Sequence, residues 1–432
     1  MGSRAVRVGV VGAGFVGSAL VELLTDPSRH DQIVDAATAP VELVGVAVRD
    51  GAKARPGVPA GLVTTDAGGL IGRDLDILVE VAGGLEPART YIESALGRGV
   101  SVVTANKALM AAAGTELAQL AHANGADLFY EAAVGGAVPI LRALRTSLAG
   151  ERIERVMGIV NGTTNFILSK MTSEGSDYAD ALAEAQALGY AEADPTADVE
   201  GYDAAAKVQI LSSLAFGTSL AGEAIAREGI SGVRAVDVEF ARRAGFVIKL
   251  LGVAERVGAN GLSKRVHPTL VPVEHPLAAV HGAMNAVFVE GAKSGPLMWL
   301  GQGAGGQPTA TAVLGDVLDV ARNRVSGRHD APFRVVTSLE DVPADDVRAV
   351  FYLSLDVADR PGVLASVAGV FGRHDVSIRS MEQTGVADEA RLMFFTHEAR
   401  TGDVRATLAE LSGLEAVDSI GACIQVLAGS GA

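Results

Sequence analysis

The chain has 432 residues, 49% of them hydrophobic, and a formal net charge of −15 from 36 basic and 51 acidic side chains. That length exceeds one ordinary core and implies two or three domains. An acidic balance without a basic block argues against nucleic acid and anionic membrane surfaces as partners, and leaves small cationic or zwitterionic ligands open. The single cysteine, Cys423, excludes an internal disulfide framework and a cysteine-based zinc site, which fits a cytoplasmic setting. The first residues enter a strand-like run without signal-peptide architecture, and no apolar stretch reaches membrane-span length without Gly, Pro or charged interruptions.

In chain order, Val6 to Val11 reads as a Val-rich strand, "GAGFVG" as a loop and Ser18 to Leu24 as a helix. The polar stretch 25–40 is long enough for an extra helical turn. "VELVGVAV" (41–48) is a second strand and "LDILVEVAGG" (75–84) a third. Helix "PARTYIESALGRG", strand "VSVVTANK", helix "GTELAQLAHANGA" and strand "DLFYEAAVGG" follow. Apolar strands alternating with helices predict a doubly wound parallel sheet of the Rossmann type over 1–150. The pattern then changes. "RIERVMGIVNGTTNFIL" reads as strand, turn and helix start, "DAAAKVQILSSLAFG" as helix, and "RVHPTLVPV" and "MNAVFVEGAKSGPLMWLGQG" as strands of an antiparallel or mixed sheet. With the helix "TATAVLGDVLDVARNR", this makes a central α+β domain over 151–325, whose 301–325 loop and helix complete the first domain. A turn-rich linker spans 326–348. The tail 349–428 carries the order β-α-β-β-α-β.

Gly12, Gly14 and Gly17 form G-x-G-x-x-G between a strand and a helix. The first glycine permits the tight turn, the second admits a pyrophosphate, and the third lets strand and helix pack. With Ala13, Phe15 and Val16 they make the candidate dinucleotide loop; the bland reading is an ordinary βα turn. Where NAD enzymes usually place an acid after the second strand, this chain has Arg49, which suits a 2′-phosphate and favours NADP over NAD. Asp50 beside it could still bond ribose. Asn106 and Lys107 follow a strand at the carboxyl edge of the sheet, where open α/β sheets bind ligands. Glu131 precedes a glycine-rich turn, where a carboxylate and turned carbonyls can hold a hard cation; the commoner reading of such a residue is a buried capping Glu. Glu192, Asp194, Asp198, Glu200 and Asp203 gather ahead of Lys207. They make either a solvated acidic loop or a pocket for an ammonium group beside a catalytic lysine. Asp203 and Lys207 are four apart and share a helix face.

Taken together, GVVGAGFVG, TANKALM, EAAVGGAVPI, GIVNGTTNFIL, LGYAEADPTADVEGYDAAAK and GQGAGGQPTA resemble the homoserine dehydrogenase family in order and spacing. The tail with "DVADRPGVL" resembles an ACT domain. Only "EVAGG" (80–84) departs, carrying a smaller residue before its glycine pair. The resemblance implies reduction of L-aspartate 4-semialdehyde to L-homoserine with a nicotinamide cofactor. Lys207 would be the proton donor, Lys107 a second catalytic cation, and Glu192 and Asp203 the substrate-binding acids. Asp194 and Asp198 would shape the loop. Thr104, Lys107, Gly189 and Gly305 would contact the cofactor. Glu131 with the carbonyls of Val134, Gly136 and Val138 would hold a monovalent cation, with sodium expected. Asp359, Arg360 and Gly362 in the "DRPG" turn would form a regulatory site, with L-threonine as the effector; the alternative is a plain strand-to-helix turn with Pro361 at the helix start, in a domain that only assembles subunits. A homo-oligomer, dimer or tetramer, is implied through the middle sheet. An acylating semialdehyde dehydrogenase would need a catalytic cysteine, and Cys423 lies in the tail. A non-catalytic sensor built of the same modules would need no lysine proton donor.

Overall fold

Six short strands of the N-terminal region pair in parallel: β1 (Val6–Val11), β2 (Val41–Ala47), β3 (Val63–Thr64), β4 (Ile77–Glu80), β5 (Ser101–Thr104) and β6 (Leu128–Phe129), in the order β3-β2-β1-β4-β5-β6. Their Val-rich composition follows from burial on both faces. Val6, Val8 and Val10 enter one apolar cluster with the helices Phe15–Thr25 and Gly306–Ser326, while Val11 enters another with Ala88–Leu96 and Lys107–Ala123. The strand order reverses between β1 and β4, which opens the crevice where such sheets bind ligands. The computed structural model describes residues 4–220, 225–330, 335, 339–386 and 389–427. The expected linker 326–348 and the last residue of the expected tail module, 428, fall partly outside them.

By contact density the chain divides into two units. One comprises residues 1–153, 209–223 and 299–337, and the other 154–208, 224–298 and 338–432. The second is organised by a sheet whose main path runs β12-β11-β7-β9-β10-β18-β14-β16-β15. These strands are β7 (Ile153–Ile159), β9 (Phe246–Val257), β10 (Gly261–Pro272), β11 (Met284–Gly291), β12 (Gly295–Gln302), β14 (Arg348–Ala358), β15 (Ile378–Val386), β16 (Glu389–Thr396) and β18 (Val417–Val426). The two-residue strands β8 (Ala226–Arg227) and β13 (Glu340–Asp341) pair with β10, and β17 (Ala399–Arg400) with β14. The sequence reading passed over β9. Its run "FVIKLLGVAERV" is buried on both faces at the centre, so it lacks the alternation that marks a half-exposed strand.

The C-terminal module has the expected β-α-β-β-α-β order, with helices Val363–Arg373 and Thr401–Leu411. It is not strung beside the rest of its unit. β18 pairs in parallel with β10 at Thr269↔Gln425 and Leu270↔Val426. Beneath this junction the fully buried Asp237 carboxylate accepts the Tyr352 hydroxyl at 3.1 Å and the Ser354 hydroxyl at 3.0 Å. Arg234 bonds Asp237 and also Asp356, at 3.0 Å. Burial alone would raise Asp356, but hydrogen bonds from Arg391, Ser419 and Arg234 outweigh it and hold its carboxyl at about 2. Its stabilising contribution is therefore present above the ordinary carboxylate range and is lost only as pH falls toward about 2. Arg234→Ala strips Asp237 and Asp356 of a shared cation, and urea unfolding should show a loss on the order of 2 kcal/mol. Arg242→Ala, which removes an exposed pair with Glu239, should leave the midpoint unchanged.

Candidate active site

The loop after β1 is built around three different glycine requirements. Gly12 has φ +101, and a Cβ there would lie 2.7 Å from the backbone of Val81 and Ala82. A Cβ at Gly17 would collide with the Gly12 carbonyl oxygen. Around Gly14 there is open space, with no heavy atom of another residue beyond its chain neighbours within 4 Å of its absent Cβ. The outer glycines thus close the turn, and the middle one leaves a bare cradle at the N-terminus of Phe15–Thr25. Ala13 and Val16 pack on the core beneath it, whereas Phe15 is 92% exposed. The second glycine loop reaches the same place. Gly305 has φ +125 and precedes the helix Gly306–Ser326, and a Cβ on Gly306 would stand 3.0 Å from the Phe15 carbonyl oxygen. Arg49 is exposed just past β2, while Asp50 Oδ1 is engaged by the Ala52 amide at 2.9 Å.

Glu80, at the end of β4, is a buried organising residue that the sequence alone does not single out. It is fully buried, and its Oε1 accepts the Ala82 and Gly83 amides, both at 2.9 Å. Its Oε2 accepts the Thr104 hydroxyl at 2.7 Å. Thr104 in turn accepts the Asn106 amide, and Asn106 donates to the Gly84 carbonyl at 2.6 Å and caps the helix that opens with Lys107. One carboxylate therefore fixes the loops after β4 and β5, and with them the start of the half-buried Lys107.

Glu131 is buried, and burial raises its pKa against the lowering effect of the Arg142 and Leu141 amides, which its carboxylate accepts at 2.7 and 2.8 Å. Its amide donates to Asp316, whose pKa is pushed up to about 7 by burial and by the Glu131 charge. Val134 and Val138 are buried, and Gly135 and Gly136 have φ +73 and +57. The chain therefore turns sharply between the carbonyls expected to ligate. Among the described residues no group of three His, Cys, Asp or Glu side chains is placed to hold a metal ion.

In the second unit the acidic stretch separates into two populations. Asp203 and Lys207, on the helix Tyr202–Phe216, form a pair of 2.6 Å with side chains 8% and 10% exposed. Lys207 Nζ also donates to the Val160 carbonyl at 2.6 Å. Asn161 bridges Asp203 and Asp198, and the Thr163 hydroxyl, which lies 2.6 Å from the Tyr190 carbonyl, is also 3.2 Å from Asp198. Asp198, read as a loop-shaping residue, thus belongs to the buried cluster. Glu192 and Asp194 are exposed, and Asp194 accepts its neighbouring Thr196 amide. The hydrogen bond at Glu192 uses its main-chain carbonyl, which accepts from Gln186. Gly189 has φ +77 at the end of the preceding helix. The contribution of "VNGTT" was visible only as a motif, because the bonds from Asn161 and Thr163 span 35 to 42 residues.

Around "DRPG" lies a cavity of about 340 Å³ lined by Asp359, Arg360, Gly362 and Gln383. Gly362 has φ +91 and precedes the helix Val363–Arg373, and Gln383 donates to Asp359 at 3.3 Å.

A glycine cradle at a Rossmann switch point, a buried lysine–carboxylate pair in a second module and a C-terminal ACT unit define a nicotinamide-dependent oxidoreductase of amino-acid chemistry. Residues 12–131 match the model of the homoserine dehydrogenase NAD-binding domain, 139–318 that of homoserine dehydrogenase, and 351–416 that of the ACT domain. The chain is 48% identical to the homoserine dehydrogenase of Corynebacterium glutamicum, over 98% of this chain and 96% of that one. It is 40% identical to that of Bacillus subtilis, over 96% and 97%. The crystal structure of the Thiobacillus denitrificans enzyme superposes with a TM-score of 0.93 at 40% identity, covering 99% of both chains. A hyperthermophilic archaeal homoserine dehydrogenase in complex with NADPH matches with a TM-score of 0.62 at 29% identity, covering 73% of this chain and 98% of that one. The chain belongs to the homoserine dehydrogenase family and is an NAD(P)-dependent oxidoreductase. Among the described residues no helix is long and apolar enough to cross a membrane.

The glycine geometry separates folding from binding. Gly14→Ala should melt like the wild type but bind the dinucleotide at least about 10-fold more weakly, because its methyl enters only the open cradle. Gly17→Ala should lower the melting temperature itself. Differential scanning fluorimetry with and without NADPH reads both.

Proposed function

We propose that the chain reduces L-aspartate 4-semialdehyde to L-homoserine with NADPH, a step toward threonine, methionine and isoleucine. The observation that carries this reading is the buried Lys207 ammonium, held by Asp203 and the Val160 carbonyl. An ammonium has three N–H donors, and these two acceptors leave one for a substrate oxygen. The open cradle at Gly14 fits a dinucleotide pyrophosphate, with Gly12, Ala13, Phe15, Val16, Gly17, Thr104, Gly189 and Gly305 as its contacts. When bound, the nicotinamide supplies the hydride. Lys207 gives its proton to the aldehyde oxygen, and Lys107 is the second cation assigned to the charge developing there. Glu192 and Asp203 receive the substrate ammonium, which could not be buried unpaired. Arg49 selects NADPH, since it faces solvent at the ribose end of β2 while Asp50 is tied to its own loop.

The modules divide this work: 1–150 for cofactor, 151–325 for substrate and pairing with a second copy, and 349–428 for regulation. L-Threonine in the cavity formed by Asp359, Arg360 and Gly362 is the proposed effector. At Glu131 the proposed ligands are one carboxylate and neutral carbonyls, a set that suits a monovalent rather than a divalent cation. Both Glu131 carboxylate oxygens already accept amides. Its share of the site therefore falls to the remaining lone pairs or to its main-chain carbonyl, beside those of Val134, Gly136 and Val138.

Wild-type protein should oxidise NADPH faster than NADH on addition of the semialdehyde, and L-threonine should slow it. Lys207→Ala should lose on the order of 10²- to 10⁴-fold in kcat while keeping its affinity for NADPH. Near-wild-type turnover in the folded variant removes Lys207 from the chemistry. For the cation, sodium chloride should raise the melting temperature of the wild type relative to tetramethylammonium chloride, and Glu131→Gln should remove that difference. An equal effect of the two salts on the wild type counts against the site.

A further inference from the structure

Asn161 does two separable things. Its Oδ1 accepts the Thr164 amide at 2.9 Å and the Thr164 hydroxyl at 3.0 Å, which caps the helix Gly162–Glu174. Its Nδ2 donates in two other directions, 2.7 Å to Asp198 Oδ1 and 2.9 Å to Asp203 Oδ2. The second acceptor is the same oxygen that takes Lys207 Nζ. Asn161 is 5% exposed, so bulk water does not compete for these bonds. The amide cannot turn over: its carbonyl would then face two carboxylates, and its amino group would face the Thr164 N–H.

Two carboxylates drawn to one point repel. A protonated Asp203 would surrender its ion pair with Lys207. A single NH2 group with one hydrogen for each acid is the donor that fits this place. Aspartate there would add a third negative charge, and a hydroxyl has only one hydrogen. Groups that face the acid pair include Lys207 from Asp203's own helix, Asn161 between the two acids, and the Thr163 hydroxyl, which is shared between the Tyr190 carbonyl and Asp198.

We infer that Asn161 is a positioning residue for the reduction: by sharing one amide between Asp198 and Asp203, it keeps Asp203 ionised and aimed at Lys207 Nζ. This rests on the reaction proposed above.

Serine and aspartate both cap helices well, so Asn161→Ser and Asn161→Asp separate the clamp from the cap. In the full-length protein, kcat and KM for the semialdehyde are measured across pH, with NADPH affinity and melting temperature alongside. Asn161→Ser should melt close to the wild type and bind NADPH equally well. It should lose about 10²-fold in kcat/KM, mostly in kcat, as expected when a reacting group is misplaced. Its acid limb should move to higher pH, because the Asp203 carboxylate loses a hydrogen-bond donor. Asn161→Asp should lose more and shift further. Wild-type kinetics and an unmoved limb in Asn161→Ser overturn the clamp. So does a loss of activity that merely follows a fall in melting temperature. If the wild type itself leaves the semialdehyde unreduced, the reaction falls and the clamp with it.

Discussion

A buried ammonium must have its counter-charge within hydrogen-bond reach, and much of the second unit is arranged to satisfy that for Lys207. The helix carrying it has to lie close to the sheet, since Nζ reaches the Val160 carbonyl at the end of β7. Closeness comes from a flat spot: Gly158 in β7 and Gly252 in β9 face one another in register, and a Cβ on Gly252 would collide with Val208, the residue after Lys207. The counter-ion comes from one helical turn earlier, and its neighbours from the "VNGTT" turn. Removing one member would leave a charge stranded where water cannot reach it. The cluster thus specifies geometry rather than adding much net stability.

The first unit meets the complementary constraint, a buried carboxylate without a cation. Glu80 has three hydrogen bonds from two amides and a hydroxyl, which is how a dry carboxylate stays tolerable. The same bonds seat Val81 and Ala82 against Gly12, where a side chain would not fit. The departure in "EVAGG" now has a physical setting: Ala82 contributes its main-chain amide to Glu80, a role open to any residue except proline.

Local chemistry made much of this legible in the sequence. The glycine fingerprint, the i, i+4 relation of Asp203 to Lys207 and the β-α-β-β-α-β tail are short-range patterns, and each reappears in the structure. What stayed hidden depends on distant pairings. Asp198 looked like one acid among five until Asn161 and Thr163 reached it from the start of another helix. Glu80 looked like the polar end of an apolar strand. β9 carried no alternation because it is covered on both sides. The union of β18 with β10 cannot be read from either strand alone, since parallel pairing leaves no turn between them.

That union bears on how a ligand in the C-terminal module could act at a distance. β18 touches β10 through two register pairs, and β10 is paired along its whole length with β9, which carries Gly252 beneath the lysine helix. The two strands are therefore joined to β18 by direct hydrogen-bond pairing, with no loop between them. The Arg234, Asp237 and Asp356 cluster sits across the same junction, with Arg234 gripping an acid from each side of it. A ligand at "DRPG" changes activity only if it binds two arrangements of this junction unequally. A buried carboxylate with hydroxyl and guanidinium partners from both modules favours a few discrete arrangements over a continuum, because each must satisfy the charge in full. The junction that stabilises the C-terminal module is thus also the element whose equilibrium an effector would have to bias.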